Sequence, residues 1–440
     1  MDFNLPPKLV AYLKELDDFI EKEIKPIEEA DDNIRFFDHR REYSRTDFER
    51  DGLPRHEWEE LLLKVKRKAD EAGHLRYALP SEFGGKNGGN LDMAVIREHF
   101  AAKGLGLHND LQNEHSIIAN FPQVIMFRDY GSQAQKDEFI AGMLDFTKWC
   151  AFGLTEPFHG SDATHMETVG VREQRDGVDG WLLNGAKMWT TGMHIATHVV
   201  VFARTSGKAG DAKGITAFIA PTSDPGIKVE EWLWTFNMPT DHPRISITDV
   251  WVPESAIFGP PEGGLALAQA FVHENRIRQA ASGLGAATYC IEESVKFARR
   301  RKMFDGHLAE NQAIQWPLVE LATQAEMLRQ LIYKTAWQMD QMDQKDIATY
   351  LGDKVSMCNY FGNRLVCEAA DRAMQIHGGL GYSRHKPFEH MYRHHRRYRI
   401  TEGTEEIQMR KVAGYLFGFQ GPRKKEFAEM DMSRKGGRDY

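Results

Sequence analysis

The sequence predicts an α+β multidomain protein with an N-terminal α-helical domain, a middle β-sheet domain and a C-terminal helical bundle. Two observations carry this expectation. Helix-type patterning runs to about residue 146, short β-type runs fill 149–258, and long helical periodicities return from 263 onward. Strands and helices are thus segregated, which excludes a doubly wound sheet with its strict alternation. In addition, 440 residues are too many for one ordinary core. The expected boundaries are 1–148, 149–260 and 261–420, with 421–440 as a polar, mobile or partner-wrapping tail.

Each region has its own local logic. In the first, Pro54, Pro80 and the glycine-rich 84–89 stretch punctuate helices, and 31–54, rich in Arg, Asp and Phe, reads as an insertion between them. In the second, the runs 181–183, 198–203, 215–220 and 244–252 are separated by turns such as Asp176-Gly177 and Asp224-Pro225-Gly226. In the third, Ile347, Leu351, Val355, Cys358, Gly362, Leu365, Ala369 and Ala373 step by three or four residues along 346–377. Asp346 is the expected N-cap of that helix and Gly378-Gly379 its stop. A second long helix is expected after Pro317, with Leu318, Leu321, Ala325, Leu328, Ile332, Ala336 and Met339 on its apolar stripe. Such helices need partners, and an antiparallel bundle is the usual solution.

Composition narrows the function. Hydrophobic residues at 42% and charged residues at 27% describe a globular protein, and a formal net charge of −8 argues against general nucleic-acid binding. No apolar run is long enough to span a bilayer, and the N-terminus resembles neither a signal peptide nor a transit peptide. Cys150, Cys290, Cys358 and Cys367 are scattered without metal-ligand spacing, so reduced thiols in a cytoplasmic setting are expected and no metal.

Five patches carry candidate chemistry. Residues 154–162 read Leu-Thr-Glu-Pro-Phe-His-Gly-Ser-Asp, a loop able to donate backbone N–H groups to a phosphate or to a polar ring edge. Residues 184–192, Asn-Gly-Ala-Lys-Met-Trp-Thr-Thr-Gly, read as a hairpin turn leading into an aromatic flanked by hydroxyls; the alternative is a core tryptophan on a strand. Residues 299–304 cluster cations beside Phe304, which also suits a solvated helix end. Residues 375–381, Gln-Ile-His-Gly-Gly-Leu-Gly, follow a helix and not a strand, so they fail as a dinucleotide fingerprint. Finally, 401–407 read Thr-Glu-Gly-Thr-Glu-Glu-Ile. Thr404 can cap the last helix, whose apolar positions are Met409, Val412, Ala413 and Leu416, with Glu405 and Glu406 as charges in its first turn. Glu402 has no such explanation: on a glycine-hinged loop it is either a desolvated general base or an acid that is solvated or paired with Arg396, Arg397 or Arg399.

In this order the five patches resemble the acyl-CoA dehydrogenase family, from the N-terminal helices to about Gly418. The resemblance implies an N-terminal α domain, a middle β domain and a C-terminal four-helix bundle. It implies FAD as cofactor and an acyl-CoA thioester as substrate, with electrons passed to an electron-transfer flavoprotein or similar acceptor. By position, Phe152, Leu154, Thr155 and Ser161 would line the flavin of their own subunit, Trp189 would pack near the isoalloxazine, and Thr191 would hydrogen-bond its reactive nitrogen edge. Arg301, Phe304, Gln312, Gln375 and Gly379 would hold the other half of a neighbouring subunit's FAD, hence a homodimer or homotetramer. Thr404 would also touch FAD, and Arg276 would stand close to Glu402, the base that takes the substrate α-proton while the β-hydrogen leaves as hydride. Some members keep the base just before the arginine matched by Arg276; here that position is Asn275, which cannot serve, and Glu274 is turned away by one helical step.

Three departures stand out. His273 replaces a frequent aspartate, 391–399 is unusually cationic and reads as a solvated face in which His394 and His395 diverge too far to share a metal, and 109–115 is polar where an acyl pocket would be covered. The alternatives are an oxidase on the same scaffold and a flavin-containing nucleic-acid-associated binding protein using the cationic stretch.

Overall fold

The computed structural model describes residues 3–109, 115–236 and 238–424, apart from the side chains of 39 and 270–274. The polar tail beyond 424, the polar segment 110–114 and the side chains of His273 and Glu274 therefore lie outside the described residues. The chain forms two compact units: Met1–Arg41 with Leu62–Ala119 and His273–Tyr440, and Glu42–Leu61 with Asn120–Val272.

The first unit is helical. Ile277, Ala280 and Leu284 of the helix Gly264–Arg300 share one core with Leu321, Leu328 and Ile332 of Gln312–Met339 and with Val355, Leu365 and Ala369 of Gly352–His377. Two of these helices approach closely because Gly283 faces Gly362: a Cβ at Gly283 would stand 3.1 Å from the Gly362 carbonyl oxygen. The helix Asn90–Ala101 joins this core through Ala94 and Ala101. Its first N–H groups are capped from another helix's end, with Asn90 and Leu91 donating to the Asp340 carboxylate at 2.6 and 3.1 Å.

Two helix starts differ from expectation. Asp343, not Asp346, is the cap, accepting from the Asp346 N–H; a short helix Gln344–Asp346 and a π-turn Ile347–Leu351 precede Gly352–His377. The second helix begins at Gln312, capped by Asn311, so Pro317 lies inside it and starts nothing. The stop is as expected, with Gly378 at φ 60°.

The cationic stretch is also different. Within the helix Phe388–Tyr398, His390, His394 and His395 are buried with Met391 and Tyr398, and the arginines lie half-buried beside them. Arg393 pairs with Glu389, and Arg399 with Glu405. A neutral imidazole can be buried where an ammonium cannot, so cation density misstated this surface.

The second unit is built on an eight-stranded sheet. Its strands run in the order Ile257–Phe258, Ile215–Pro221, His198–Arg204, Val169–Arg175, Val178–Met188, Pro243–Pro253, Ile227–Trp232, and Cys150–Gly153 pairs in parallel with His198–Arg204. Asp176 and Gly177 form the expected tight turn, both with positive φ. Asn184-Gly185 does not turn. It lies within Val178–Met188 at a register shift, where Gly185 has φ 156° and a Cβ would meet Thr168 at 2.4 Å. Asn-Gly is favoured by tight turns and by irregular strand positions alike, so the dipeptide did not discriminate. The segment 31–54 forms short 3₁₀ turns and the two-stranded pair Thr46–Asp47 with Leu53–Pro54.

Candidate active site

In the helical unit, the chain leaves Phe388–Tyr398 and re-enters a helix at Glu405–Leu416. Between them Glu402 and Gly403 adopt φ 56° and 88°. A glutamate in the left-handed region is strained and persists only where its surroundings hold it. Here Arg276 Nε and Nη2 donate to the Glu402 carbonyl oxygen at 3.0 and 2.6 Å. Gln408 Nε2 donates to the carbonyl oxygens of Glu402 and Gly403 at 3.0 and 3.1 Å. Arg276 is 5% exposed; burial pulls its guanidinium down to about 10, against the opposing pull of the nearby Glu402 carboxylate. The loop thus presents a half-buried carboxylate on a backbone fixed from two helices. Asn275, half-buried, precedes Arg276 in its helix.

Thr404 caps the last helix as expected, its hydroxyl accepting from the Ile407 N–H at 3.4 Å. Glu405 is more than a first-turn charge. It is buried and takes hydrogen bonds from Arg399 at 2.8 Å and Arg364 at 3.0 Å, which with burial opposing holds its carboxyl down at about 2. Arg399 is thereby engaged by Glu405. Gln408 carried no sequence signal beyond its place one turn past the Glu402 loop.

At the other end of the bundle, Arg301, Phe304, Gln312, Gln375 and Gly379 are all exposed. Phe304 is 95% exposed at φ 52°, and a Cβ on Gly378 or Gly379 would meet nothing within 4 Å. Phe297 and His377, their rings tilted with centres 4.3 Å apart, join the ends of the helices Gly264–Arg300 and Gly352–His377, next to Arg301 and Gln375.

The sheet unit gathers the remaining candidates. The Met188 N–H donates to the Thr155 carbonyl at 2.8 Å, which sets the 154–161 loop beside the end of the strand Val178–Met188, just before Trp189. Beneath them Lys187, fully buried, pairs with Glu156, 3% exposed, at 2.8 Å, and Glu156 also accepts from the Glu167 and Thr168 N–H groups. Burial pushes the Lys187 amine down to about 8 and opposes ionisation of Glu156, yet Lys187 and those donors keep the carboxyl below its ordinary value. Trp189 is not a core residue: it sits at φ 64°, 46% exposed, with Thr191 exposed beside it. Phe152, Leu154 and Thr155 are half-buried and Ser161 is exposed. Thr190 Oγ1 is buried without a partner among the described residues. An exposed indole, adjoining hydroxyls and an unsatisfied buried oxygen are groups that a planar, polar-edged ring fits. Sequence reading missed His242, whose Nδ1 lies 2.9 Å from Thr191 Oγ1 and 3.2 Å from the Asp241 carboxylate. Among the described residues no group of His, Cys, Asp and Glu could hold a metal ion, and no helix is long and apolar enough to cross a membrane.

Known proteins agree with this architecture. Profiles for the N-terminal, middle and C-terminal domains of acyl-CoA dehydrogenase match residues 40–147, 151–250 and 262–417. The chain is 32% identical over 362 residues to a 3-(aryl)acrylate reductase of Clostridium sporogenes, covering 81% of this chain and 91% of that protein. It is 29% identical to a glutaryl-CoA dehydrogenase of Desulfococcus multivorans, covering 92% and 96%. Butyryl-CoA dehydrogenase from Megasphaera elsdenii superposes with a TM-score of 0.74 at 26% identity, covering 94% of this chain and all of that one. The three-domain match and the full-length likeness show that the chain belongs to the acyl-CoA dehydrogenase family and is an FAD-dependent oxidoreductase.

Proposed function

We propose that the protein converts an acyl-CoA thioester to its trans-2-enoyl-CoA, with Glu402 as the base that takes the α-proton. The reading rests on one observation: Arg276 and Gln408 both hold the Glu402 carbonyl, so the strained loop aims a carboxylate instead of relaxing. An α-proton of a thioester is too weakly acidic for an isolated carboxylate, so charge developing on the thioester oxygen needs donors set in advance, the Glu402 N–H among them. Substrate seated against Glu402 would exclude water and raise its basicity. Bound FAD supplies the acceptor for the β-hydrogen, which leaves as hydride. Phe152, Leu154, Thr155, Ser161, Trp189 and Thr191 would hold it from one subunit and Arg301, Phe304, Gln312, Gln375 and Gly379 from another, in a homodimer or homotetramer. Thr404 would also touch FAD.

Relatives include a subunit of a caffeyl-CoA reductase–Etf complex from Acetobacterium woodii, 30% identical over 360 residues, which supports an electron-transfer flavoprotein as redox partner. That relative and the acrylate reductase also favour a second reading, in which the same residues run the reaction towards the saturated acyl group. A cytoplasmic setting suits the free, buried cysteines.

The deciding experiment is anaerobic titration of the flavin spectrum with short, medium, branched and aromatic acyl-CoAs. Bleaching by at least one thioester is expected; none across the panel would remove the assignment. Rapid recolouring in air would mark an oxidase instead.

A further inference from the structure

Thr191 is backed by a pair of residues that decides which way its hydroxyl points. Its Oγ1 lies 2.9 Å from His242 Nδ1, and the same nitrogen lies 3.2 Å from an Asp241 carboxylate oxygen. The pair is built in: the Gly192 N–H donates to the Asp241 carbonyl at 3.1 Å, the Leu233 N–H to the His242 carbonyl at 2.9 Å, and the Trp189 N–H to the Pro243 carbonyl at 3.0 Å. Both side chains are mostly shielded from solvent, at 18% and 23% exposed.

An ionised carboxylate only accepts hydrogen bonds. If the neutral imidazole carried its proton on Nε2, the Nδ1 lone pair would face the Asp241 oxygen, an unfavourable contact. Asp241 therefore selects the form with the proton on Nδ1, as second-shell carboxylates do for histidines elsewhere. That N–H is directed at Thr191, with the Asp241 oxygen close enough to favour it by charge, and the Thr191 oxygen becomes an acceptor on its inner side. Its own O–H is then left to donate outward, on the exposed side of Thr191.

We propose that Asp241 and His242 are positioning residues that hold Thr191 as a hydrogen-bond donor towards the flavin's reactive nitrogen edge. This rests on the reading above in which Thr191 faces that edge. An oxidised flavin nitrogen accepts, so a fixed donor favours the bound, oxidised cofactor and aligns it for hydride arrival. Neither residue touches substrate; both act through Thr191.

The test uses full-length protein reconstituted with FAD and reads the FAD dissociation constant and the visible spectrum of bound flavin, neither of which needs turnover. His242→Leu should weaken FAD about tenfold, the worth of one net hydrogen bond, and shift the flavin band. His242→Asn, whose amide N–H can stand near the lost Nδ1–H, should return the dissociation constant to within about threefold of wild type. Asp241→Asn should fall between. Thr191→Val should match His242→Leu, and the double variant should add nothing to either, since both act on one bond. Leu and Asn variants with the same spectrum and affinity as wild type, or additive effects of Thr191→Val and His242→Leu, overturn the inference while leaving the enzyme assignment standing. Wild-type protein that binds no FAD removes the assignment and this inference together.

Discussion

Arg276 holds Glu402 by its backbone: two guanidinium nitrogens donate to the Glu402 carbonyl oxygen at 3.0 and 2.6 Å. A buried arginine that secures a carbonyl fixes the direction of the side chain one bond away, which a point charge in solvent would not do.

Glu402→Gln should keep FAD and acyl-CoA binding while turnover falls about 10²–10⁴-fold, as for loss of a general base. Arg276→Lys should keep the carboxylate but lose the paired geometry, lowering kcat roughly tenfold with less change in KM. Rapid-mixing measurement of flavin reduction checks both; near-wild-type reduction in Glu402→Gln would move the base elsewhere.

The Glu156–Lys187 pair lies under the sheet unit's candidate cofactor loops with both side chains buried. Lys187→Met leaves a carboxylate in the interior without its cation, and should destabilise the protein by about 3–5 kcal/mol. Glu156→Gln in the same chain removes the unpaired charge and keeps an acceptor for one of the Glu167 and Thr168 N–H groups, and should recover part of that loss. Chemical denaturation of the two variants provides the comparison; a double variant no more stable than Lys187→Met alone would contradict it.

What could be read from the sequence follows the range of the interactions. The Asp176-Gly177 turn, the 198–203 and 215–220 strands and the Gly378 stop depend on neighbouring residues, and all appear where the pattern put them. Thr404 is a local cap and was equally legible. His242 stands 51 residues from Thr191, and Asp340 caps a helix 250 residues away; strand register and helix packing set those contacts, and neither leaves a periodic trace. Glu405 looked like a dipole charge because its partner Arg364 lies on another helix, 41 positions back. Arg276 became a candidate only through family resemblance, since one arginine in a long helix carries no signal of its own.

Glu405 sets one acid limit of stability. Its folded carboxyl sits at about 2 against an ordinary 4.5, first through the Arg399 hydrogen bond, with burial opposing and Arg364 adding to it. A depressed carboxyl contributes stability that is complete above 4.5 and lost as pH falls towards 2. Discounting for partial solvent access, that contribution is about 2 kcal/mol at neutral pH. Glu405→Gln should therefore melt below wild type at pH 7, and the gap should narrow from about pH 4 downward. A gap unchanged at pH 3 would show that Glu405 acts by packing alone.

His395 opens an earlier window. Its imidazole is fully buried beside His394, ring centres 4.9 Å apart, and is pushed from 6.5 to about 3 by burial, with Arg397 adding to the effect. The unfolded chain binds this proton from pH 6.5 downward and the folded chain does not until about 3, so stability is lost steadily as pH falls between those values. His394, displaced in the same direction by the same causes, steepens the slope. The loss from His395 thus begins two pH units above that from Glu405. His395→Phe removes one titration and fills similar space, so its melting temperature should fall less than that of wild type between pH 6.5 and 4.5. The measurement is a pair of melting curves at each pH; parallel decline of the two proteins across that interval would mean that His395 is not the group being protonated.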